Sequence, residues 1–409
     1  MDELKGVIVK LKVKIKYSEL FFITGIIFAS VISALTILGV TLDAVGDHSA
    51  HIAIARASAY TTHPMYHLLL IWFERLFSIA MEYSSAFILT VSNIASILIL
   101  KKIILHSIEM NEISDINRYI IDFFCIASIF VMTIPSYLTN NAMYIYVGAP
   151  TMLPITSPNM WHNPTQLLVR PFQLVSLYFF LKVVQDIKII SDIYLKNLIM
   201  FSMFSIFATL AKPAGNFVVM PALAIYSVFI FVTKFKERFI PSLRLFLAAL
   251  PIIAVMLIQS QGAGISYAAG NHIPLEMRFH FGTLANLSFE QVIFFAASNV
   301  LFALFIFTTL GIKNIINSPP LYCVAVLTYF VGFFQFFFIT DGSWHFNMAW
   351  PYMFGSYIIM VCSIIPLLTL ENSNKNTVIK VIGYSIYFIH FVFGLYYILL
   401  YINSGTFHH

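Results

Sequence analysis

The sequence predicts an all-α, polytopic membrane protein, and three observations lead to this prediction. Hydrophobic residues make up 60% of the 409-residue chain and charged residues only 10%, whereas soluble domains carry about 25% charged residues. The mean hydropathy is +0.87. Apolar runs such as 21–42 and 378–402 are long enough to cross a hydrocarbon core of roughly 30 Å as helices. None shows the period-two pattern of a membrane β-barrel, so the prediction is a transmembrane helical bundle.

About 11 membrane spans are predicted from the apolar runs and the charge of the loops, in one domain that covers residues 1–409. The spans are placed at about 18–42, 80–103, 119–138, 166–186, 196–211, 216–234, 241–259, 291–311, 320–339, 350–369 and 378–402. With a cytoplasmic N-terminus, most of the 23 Lys and Arg residues lie in cytoplasmic flanks, as the positive-inside rule requires. A further span at 63–79 would reverse every later loop. This segment is therefore predicted to be an interfacial or re-entrant helix.

The longest loops are predicted on the side that faces away from the cytoplasm. They are 43–79, 139–165, 260–290 and 340–349. Most of the histidines fall in or beside these loops, together with Asn, Trp and Arg, and long loops of this kind are where function usually lies. The cytoplasmic connections are short and contain no glycine-rich phosphate loop, so a nucleotide-sugar donor and a nucleic-acid partner are not expected.

Between the end of the first span and Pro64, the first of these loops contains two carboxylates, Asp43 and Asp47. Asp47 opens the segment HSAHIAIARA, which is predicted to be a short helix, so Asp47 has a structural explanation as its N-cap. The alternative is a general base, because a half-buried carboxylate can deprotonate a hydroxyl group. Asp43 directly follows the first span, which makes Asp47 the better placed of the two.

The start of the chain resembles the C-type (GT-C) integral membrane glycosyltransferases. The residues that carry the resemblance are Gly46-Asp47-His48, Ala50-His51 and His63-Pro64-Met65-Tyr66. The resemblance implies that an acidic residue of the first outer loop is the catalytic base and that the donor is a sugar on a polyprenyl phosphate or diphosphate. The catalytic residues are therefore expected to be Asp47, His48 and Asp43. The predicted outer loops lack the Asp-x-Asp or Asp-Glu pair of metal-dependent members, so no cofactor is expected.

Residues that could bind a sugar are planar amides and imidazoles, which hydrogen-bond hydroxyl groups, and aromatic rings, which lie against the sugar. The predicted set is His51, His63, Tyr66, His67, Trp161, His162, Asn163, Asp341, Trp344 and His345. The second loop also has a structural explanation, because Pro158 and Pro164 could order it and Trp161 could anchor it at the membrane interface.

Three cations are predicted to contact the phosphate of the lipid carrier: Arg170, Lys212 and Arg278. Arg170 lies inside a predicted span and needs an anionic partner there, which is either a lipid phosphate or Asp47. Lys212 stands in a tight connection, where it suits a phosphate or extends to the interface. We expect the three to converge on one cavity.

A metal site is the alternative use of the histidines. His48 and His51 are spaced i,i+3, and His63 and His67 are spaced i,i+4, so each pair shares one helix face, as zinc ligands do. No carboxylate at a comparable spacing completes a site, and no metal ligand is therefore predicted, although a divalent metal is not excluded by the sequence.

The sequence therefore predicts a glycosyltransferase of the extracytoplasmic face, with a polyprenyl-phosphate-linked sugar donor, a glycan or glycolipid acceptor and membrane lipid as partners. The expected location is a bacterial inner membrane, with a cytoplasmic N-terminus. A Wzy-type polymerase of O-antigen or capsule repeats is a close alternative. A lipid-linked-sugar flippase or transporter is a different class, which usually places its charges at mid-membrane and shows inverted repeats.

Overall fold

The computed structural model describes most of the chain. The described residues are 17–42, 47–57, 64–108, 114–134, 161, 163–190, 193–233, 235–266, 276–277, 296–316, 318–340, 349–371 and 373–404. Over these ranges the chain is helical, apart from one antiparallel pairing of two-residue strands. The predicted all-α class is confirmed.

The first half of the chain forms seven helices in the described ranges. In chain order they are α1 (Tyr17–Leu42), α2 (Asp47–Arg56), α3 (Met65–Phe77), α4 (Met81–Ser107), α5 (Asp115–Ala127), α6 (Pro164–Ile190) and α7 (Leu195–Ala211). The closest packing in this half is between α6 and α7, between α1 and α4, and between α4 and α6.

The second half completes the bundle. Its elements are α8 (Ala214–Thr233), α9 (Phe235–Ser266), β1 (Glu276–Met277), α10 (Leu301–Ile316), α11 (Pro320–Phe338), β2 (Ile339–Thr340), α12 (Ala349–Cys362), α13 (Ile364–Thr369) and α14 (Asn374–Ser404). The strand β1 pairs with β2, and α11 packs closely on α12 and α8.

Seven helices in the described ranges are long and apolar enough to cross a membrane, which confirms a multi-pass membrane protein. They are Tyr17–Leu42, Met81–Ser107, Pro164–Ile187, Ala214–Thr233, Arg238–Gln259, Ala349–Thr369 and Asn374–Leu399. Three more apolar helices, of 10–17 residues, coincide with other predicted spans. They are Leu195–Ala211, Leu301–Gly311 and Pro320–Phe336.

The span predicted at 119–138 differs most from the structure, because α5 ends at Ala127. Beyond it the backbone of Met132 is bonded to α14 instead of to its own helix. The Met132 N–H donates to the His390 carbonyl at 3.1 Å, and His390 Nδ1 donates to the Met132 carbonyl at 2.5 Å. Non-helical backbone is tolerated at membrane depth where protein satisfies its polar groups, so this segment needs no continuous helix.

Segment 63–79 forms α3, a helix of 13 residues. At 1.5 Å per residue it is about 20 Å long, which is short of a hydrocarbon core of roughly 30 Å. It ends at Ser78, whose left-handed backbone (φ 55°) turns its N–H back to the Glu74 carbonyl. The length fits the prediction that this segment does not span the bilayer.

The centre of the bundle is formed by α6 and by α12 with α13. In the most apolar stretch of each candidate span, 94% of the residues are buried in Ala349–Thr369 and 72% in Pro164–Ile187, whereas only 17% are buried in Arg238–Gln259. Two glycines allow α11 and α12 to approach closely, as small residues do between membrane helices. A Cβ on Gly355 would lie 2.9 Å from the Thr328 carbonyl oxygen, and one on Gly332 would lie 3.0 Å from the Cα of Tyr352.

Side-chain contacts identify the two ends of the bundle. At one end α2 meets the first residues of α6 through a hydrogen bond from Asn163 to Asp47, and we name this the α2 end. At the opposite end His106 of α4 is bonded to Gln185 of α6 at 2.8 Å. The loops predicted to share one face of the membrane therefore come together where the structure describes them.

A buried ion pair ties α4 to α5 near the opposite end. Lys101 Nζ lies 2.5 Å from Asp122 Oδ1, and the side chains are 27% and 2% exposed. The same ammonium lies 3.6 Å from the centroid of the Phe22 ring. The pair is therefore asymmetric, because the Lys101 side chain is partly exposed whereas that of Asp122 is buried.

We expect Lys101→Met to destabilise the protein more than Asp122→Leu, because the first leaves a buried carboxylate without its partner. The loss should be on the order of 3–5 kcal/mol, as found when one partner of a buried pair is removed. Thermal unfolding of the detergent-purified variants measures the difference. The double variant should recover much of the loss, and equal losses in the two single variants would contradict this account of the pair.

Candidate functional site

Three segments meet at the α2 end, and each contributes one polar side chain. Asn163 Nδ2 donates to Asp47 Oδ2 at 2.8 Å, and Lys212 Nζ donates to Asn163 Oδ1 at 3.1 Å. We name these three residues the Asp47 group. The amide thus stands between a carboxylate and an ammonium group, and it holds both in place.

The local sequence explains why Asn163 occupies this position. Its Oδ1 also accepts hydrogen bonds from the Gln166 backbone N–H at 3.0 Å and from Thr165 Oγ1 at 2.7 Å. These bonds make Asn163 the N-cap of α6, and Pro164 fills the first helical position, where a missing N–H costs nothing. The side chain is therefore fixed by the start of the helix before it contacts Asp47.

Lys212 is fixed by the end of α7 and by an aromatic ring. The helix ends at Ala211 and Lys212 is extended (φ −166°, ψ 123°), since Pro213 cannot continue the helix. Its ammonium group lies 3.9 Å from the centroid of the Trp350 ring. Burial lowers the pKa of Lys212 to about 7, although the negative charge of Asp47 raises it in part. The charge of this side chain therefore changes near neutral pH.

His48 ties α2 to the segment before α6. Its Nε2 lies 2.8 Å from the Trp161 carbonyl oxygen, so Nε2 carries the proton and donates. Trp161 Nε1 donates in turn to the Ile129 carbonyl at 2.8 Å, and its indole stacks against Phe130. Trp161 is 1% exposed. In this structure, therefore, the ring predicted to support a sugar lies inside the protein.

The remaining predicted sugar ligands that the structure describes form an aromatic cluster between α2 and α3. His51 Nδ1 lies 2.9 Å from His67 Nε2, and the Tyr66 ring meets both imidazoles edge-on. The Tyr66 hydroxyl donates to Ser85 Oγ at 2.8 Å. The histidines therefore pair between the two helices, not within each helix as their spacing suggested.

Among the residues that the structure describes, no three His, Cys, Asp or Glu side chains lie close enough to hold a metal ion. His51 and His67 supply two nitrogens, and their mutual hydrogen bond uses one lone pair. The arrangement fits a hydrogen-bonded pair of imidazoles, one of which donates to the other.

Arg170 lies on the same face of α6 as Asn163 but deeper in the bundle. Seven residues separate the two, which is about 10 Å along the helix axis. The same spacing relates Trp350, which lies under Lys212, to Tyr357, whose ring centroid is 4.9 Å from the Arg170 guanidinium carbon. The two cations therefore occupy two levels between α6 and α12. The predicted convergence of Arg170, Lys212 and Arg278 on one cavity stays a prediction, because Arg278 lies outside the described residues.

Several predicted site residues lie outside the described ranges. They are Asp43, His63, His162, Arg278, Asp341, Trp344 and His345. Their roles stay predictions.

Two polar residues of α6 escaped the sequence analysis. Gln166 and Gln173 are both fully buried, four residues before and three residues after Arg170. Their spacing could have indicated a site, because positions 166, 170 and 173 share one helix face within an otherwise apolar span. These residues lie inside a membrane helix, whereas the predicted site residues were chosen mainly from the loops.

A cavity lies away from these residues. Its volume is about 330 Å³, and it is lined by apolar side chains of α6, α7, α8 and α9, among them Phe180, Phe201 and Leu245. Two of its lining residues, Val228 and Phe246, are 59% and 58% exposed. Because the exposed surface of a spanning helix faces lipid, this cavity opens towards the acyl chains.

Acid should weaken the attachment of α2 through His48. Burial lowers the pKa of His48 from 6.5 to about 4, although its hydrogen bond to Trp161 and the charge of Asp47 raise it in part. Between these values the unfolded chain binds a proton that the native protein does not, so stability falls as the pH drops from 6.5 to 4, by up to about 3 kcal/mol. His48→Gln keeps an N–H donor without titrating and should resist acid better in thermal unfolding at pH 7.5 and 4.5. Identical acid sensitivity in the two proteins would contradict this role.

Comparisons with known proteins add no family to this description. No protein-family model matches the chain, and no curated protein matches its sequence. A functional assignment therefore depends on the geometry of the α2 end and on the chemistry that its residues allow.

Proposed function

We propose that this protein is an integral membrane glycosyltransferase that moves a sugar from a polyprenyl-phosphate carrier to a cell-surface glycan or glycolipid. The observation that carries the proposal is the Asp47 group, in which one amide holds both a carboxylate and an ammonium group. Glycosyl transfer from a lipid phosphate needs these two charges, a base for the acceptor and a cation for the leaving group. The resemblance of the first 80 residues or so to C-type glycosyltransferases supports the same assignment.

The reaction assigned to this site is a single displacement. Asp47 removes the proton from an acceptor hydroxyl group while the oxygen attacks the anomeric carbon of the donor sugar. The bond between that carbon and the phosphate oxygen breaks, and its electron pair leaves with the carrier phosphate. The proton remains on Asp47 and is released to solvent afterwards. The products are the elongated acceptor and the free polyprenyl phosphate.

Each member of the Asp47 group has one role in this scheme. Lys212 stabilises the negative charge that gathers on the leaving phosphate, and Arg170 adds positive potential from the deeper level. Asn163 is a positioning residue, since it orients the carboxylate and the ammonium group and touches no reacting atom. On this proposal the α2 end faces away from the cytoplasm, and the bundle is of the C type and lies in a bacterial inner membrane.

A flippase for lipid-linked sugars is the second candidate, because Arg170 is a buried cation within a spanning helix. Charges at this depth are typical of transport pathways. One experiment distinguishes the two functions, with purified protein in liposomes that contain a fluorescent lipid-linked sugar. Transfer produces free polyprenyl phosphate, whereas flipping changes only which leaflet holds the intact lipid.

We expect Asp47→Asn to lower turnover by about two to four orders of magnitude, the usual contribution of a positioned base. The fold should survive, because the amide is isosteric and can still accept the Asn163 hydrogen bond. The assay is release of polyprenyl phosphate from a panel of polyprenyl-phosphate sugars, measured by mass spectrometry. Asp115→Asn is the matched control, since this exposed carboxylate opens α5 at the opposite end, and it should leave turnover unchanged.

The structural alternative makes a different forecast for the same variant. If Asp47 only caps α2, asparagine serves as well as aspartate, and turnover should survive. Normal activity of Asp47→Asn, with loss in Asp43→Asn or Asp341→Asn, would place the base elsewhere.

The pKa of Lys212 predicts the pH dependence of the same reaction. Because burial lowers this pKa to about 7, the ammonium group loses its proton as the pH rises through 7, and turnover should decline above that value. Lys212→Arg keeps a positive charge at all these pH values, so its decline should move to higher pH. Lys212→Met should lose most activity at every pH. A wild-type profile that stays flat from pH 6 to 9 would remove Lys212 from the reaction.

A further inference from the structure

Arg170 is a buried charge that no side chain in the described part of the chain neutralises. The side chain is fully buried, and among the described residues none of its three guanidinium nitrogens has a hydrogen-bond partner. The Tyr357 ring centroid lies 4.9 Å from the guanidinium carbon, and an aromatic ring stabilises a cation less than a carboxylate does. Buried charges are normally paired, because an unpaired one is strongly destabilising. The guanidinium is therefore the half of an ion pair that a ligand can complete.

Two glutamines on the same helix face share this property. Gln166 and Gln173 are fully buried, and within the described ranges neither the amide nitrogen nor the carbonyl oxygen of either side chain has a hydrogen-bond partner. Together with Arg170 we name them the Arg170 group. Three such residues on one helix face are uncommon in a folded interior, where most buried polar groups are bonded.

A glycine packs directly against one side of this group. A Cβ on Gly215 would lie 3.1 Å from the Oε1 of Gln173, so a larger residue would press on the amide. Gly215 is the second residue of α8, whose N-terminus has unpaired N–H groups and a positive dipole end. The position of Gln173 thus places the group beside a second feature that favours negative charge.

The hydrogen-bonding capacity of the group narrows the chemistry of its ligand. Arg170 requires an anion and offers a planar fork that suits a carboxylate or a phosphate. The oxygens of Gln166 and Gln173 require donors. A phosphodiester has acceptors alone, and a neutral sugar has hydroxyl donors but no charge. A sugar that carries a carboxylate supplies both.

We propose that the Arg170 group binds the carboxylate and adjacent hydroxyl groups of an acidic sugar, such as a uronic acid. Within the glycosyltransferase assignment, on which this identification of the substrate rests, the two levels divide the substrate between them. Lys212 takes the carrier phosphate, and Arg170, about 10 Å deeper along α6, takes the carboxylate. The acidic sugar belongs either to the donor or to the acceptor.

The test is direct binding of free sugars to the purified full-length protein in detergent, measured by isothermal titration calorimetry. D-Glucuronate should bind at least tenfold more tightly than D-glucose, acetate or inorganic phosphate. Gln173→Leu, which has a similar volume and no hydrogen-bonding groups, should weaken glucuronate binding about tenfold. Gly215→Ala should weaken it as well, since its Cβ would displace the Gln173 amide. Gln185→Leu, on the same helix at the opposite end, is the matched control and should bind normally.

Several outcomes overturn the proposal. Phosphate that binds as tightly as glucuronate would make the site a simple anion pocket, and unchanged binding by Gln173→Leu would exclude the glutamines. Absence of glucuronate binding, in a protein that transfers neutral sugars, would refute the site and leave the transferase intact. Glucuronate binding without transfer from any lipid-linked sugar would refute the transferase and leave the site.

Turnover with matched substrates locates the carboxylate. Preference for polyprenyl-phosphoglucuronate over polyprenyl-phosphoglucose assigns it to the donor. Preference for an acceptor that ends in glucuronate assigns it to the acceptor. Equal turnover with all four combinations would overturn the proposal, because the Arg170 group would then not read the carboxylate.

Discussion

The side-chain amide of Asn163 both donates and accepts hydrogen bonds, and the arrangement of the α2 end depends on it. Its nitrogen donates to Asp47, and its oxygen accepts from Lys212 and from the first turn of α6. An amide can do this because it has two donors and an acceptor with two lone pairs. Aspartate at this position could cap the helix but would repel Asp47. Leucine could neither cap the helix nor donate a hydrogen bond to Asp47. The position of the candidate base is therefore set by a helix cap that lies more than a hundred residues away in the chain.

The low dielectric constant of the bundle makes the contrast between satisfied and unsatisfied groups informative. At the opposite end Lys101 and Asp122 neutralise each other, and elsewhere in the bundle His390 donates a hydrogen bond to the backbone carbonyl of Met132. These contacts have a structural explanation, because each buried polar group has a partner. The side chains of the Arg170 group have no hydrogen-bond partner among the residues that the structure describes. Because natural proteins tolerate such groups mainly where function requires them, the imbalance marks the place where a ligand completes the structure.

Much of the architecture could be predicted from the sequence, because apolar length and loop charge are local properties. The helices 17–42, 81–107 and 374–404 lie close to their predicted bounds. The end of α5 at Ala127 could not be foreseen, since it depends on a backbone hydrogen bond between Met132 and His390 of α14. Apolar composition alone does not distinguish a spanning helix from backbone satisfied by another element.

The candidate site was predictable in part for the same reason. The composition of the loops singled out Asp47, Asn163 and Lys212, and the structure brings these three together. Their connection through one amide was not predicted, because a hydrogen bond over 116 positions leaves no trace in a local pattern. The pairing of His51 with His67 was misjudged because spacing within each helix gave no information about the helix opposite. Gln166 and Gln173 were missed since attention to loops excluded the interior of a span.

The lining of α6 favours a closed substrate pocket over a path through the bundle. From Asn163 to Gln173 the face that contains Arg170 is polar, and the last polar contact that continues it is the hydrogen bond between Ser176 and Ser205. Beyond this point the buried residues of the helix are apolar, with Leu177, Phe180 and Val184 packed in the core. A transporter needs polar access to its site from both sides of the membrane in turn. In the described part of the chain, the polar face stops halfway down α6, which supports the proposal that a substrate enters and leaves at the α2 end. An enzyme that binds its substrates, transfers the sugar and releases its products on one side of the membrane needs no second access route.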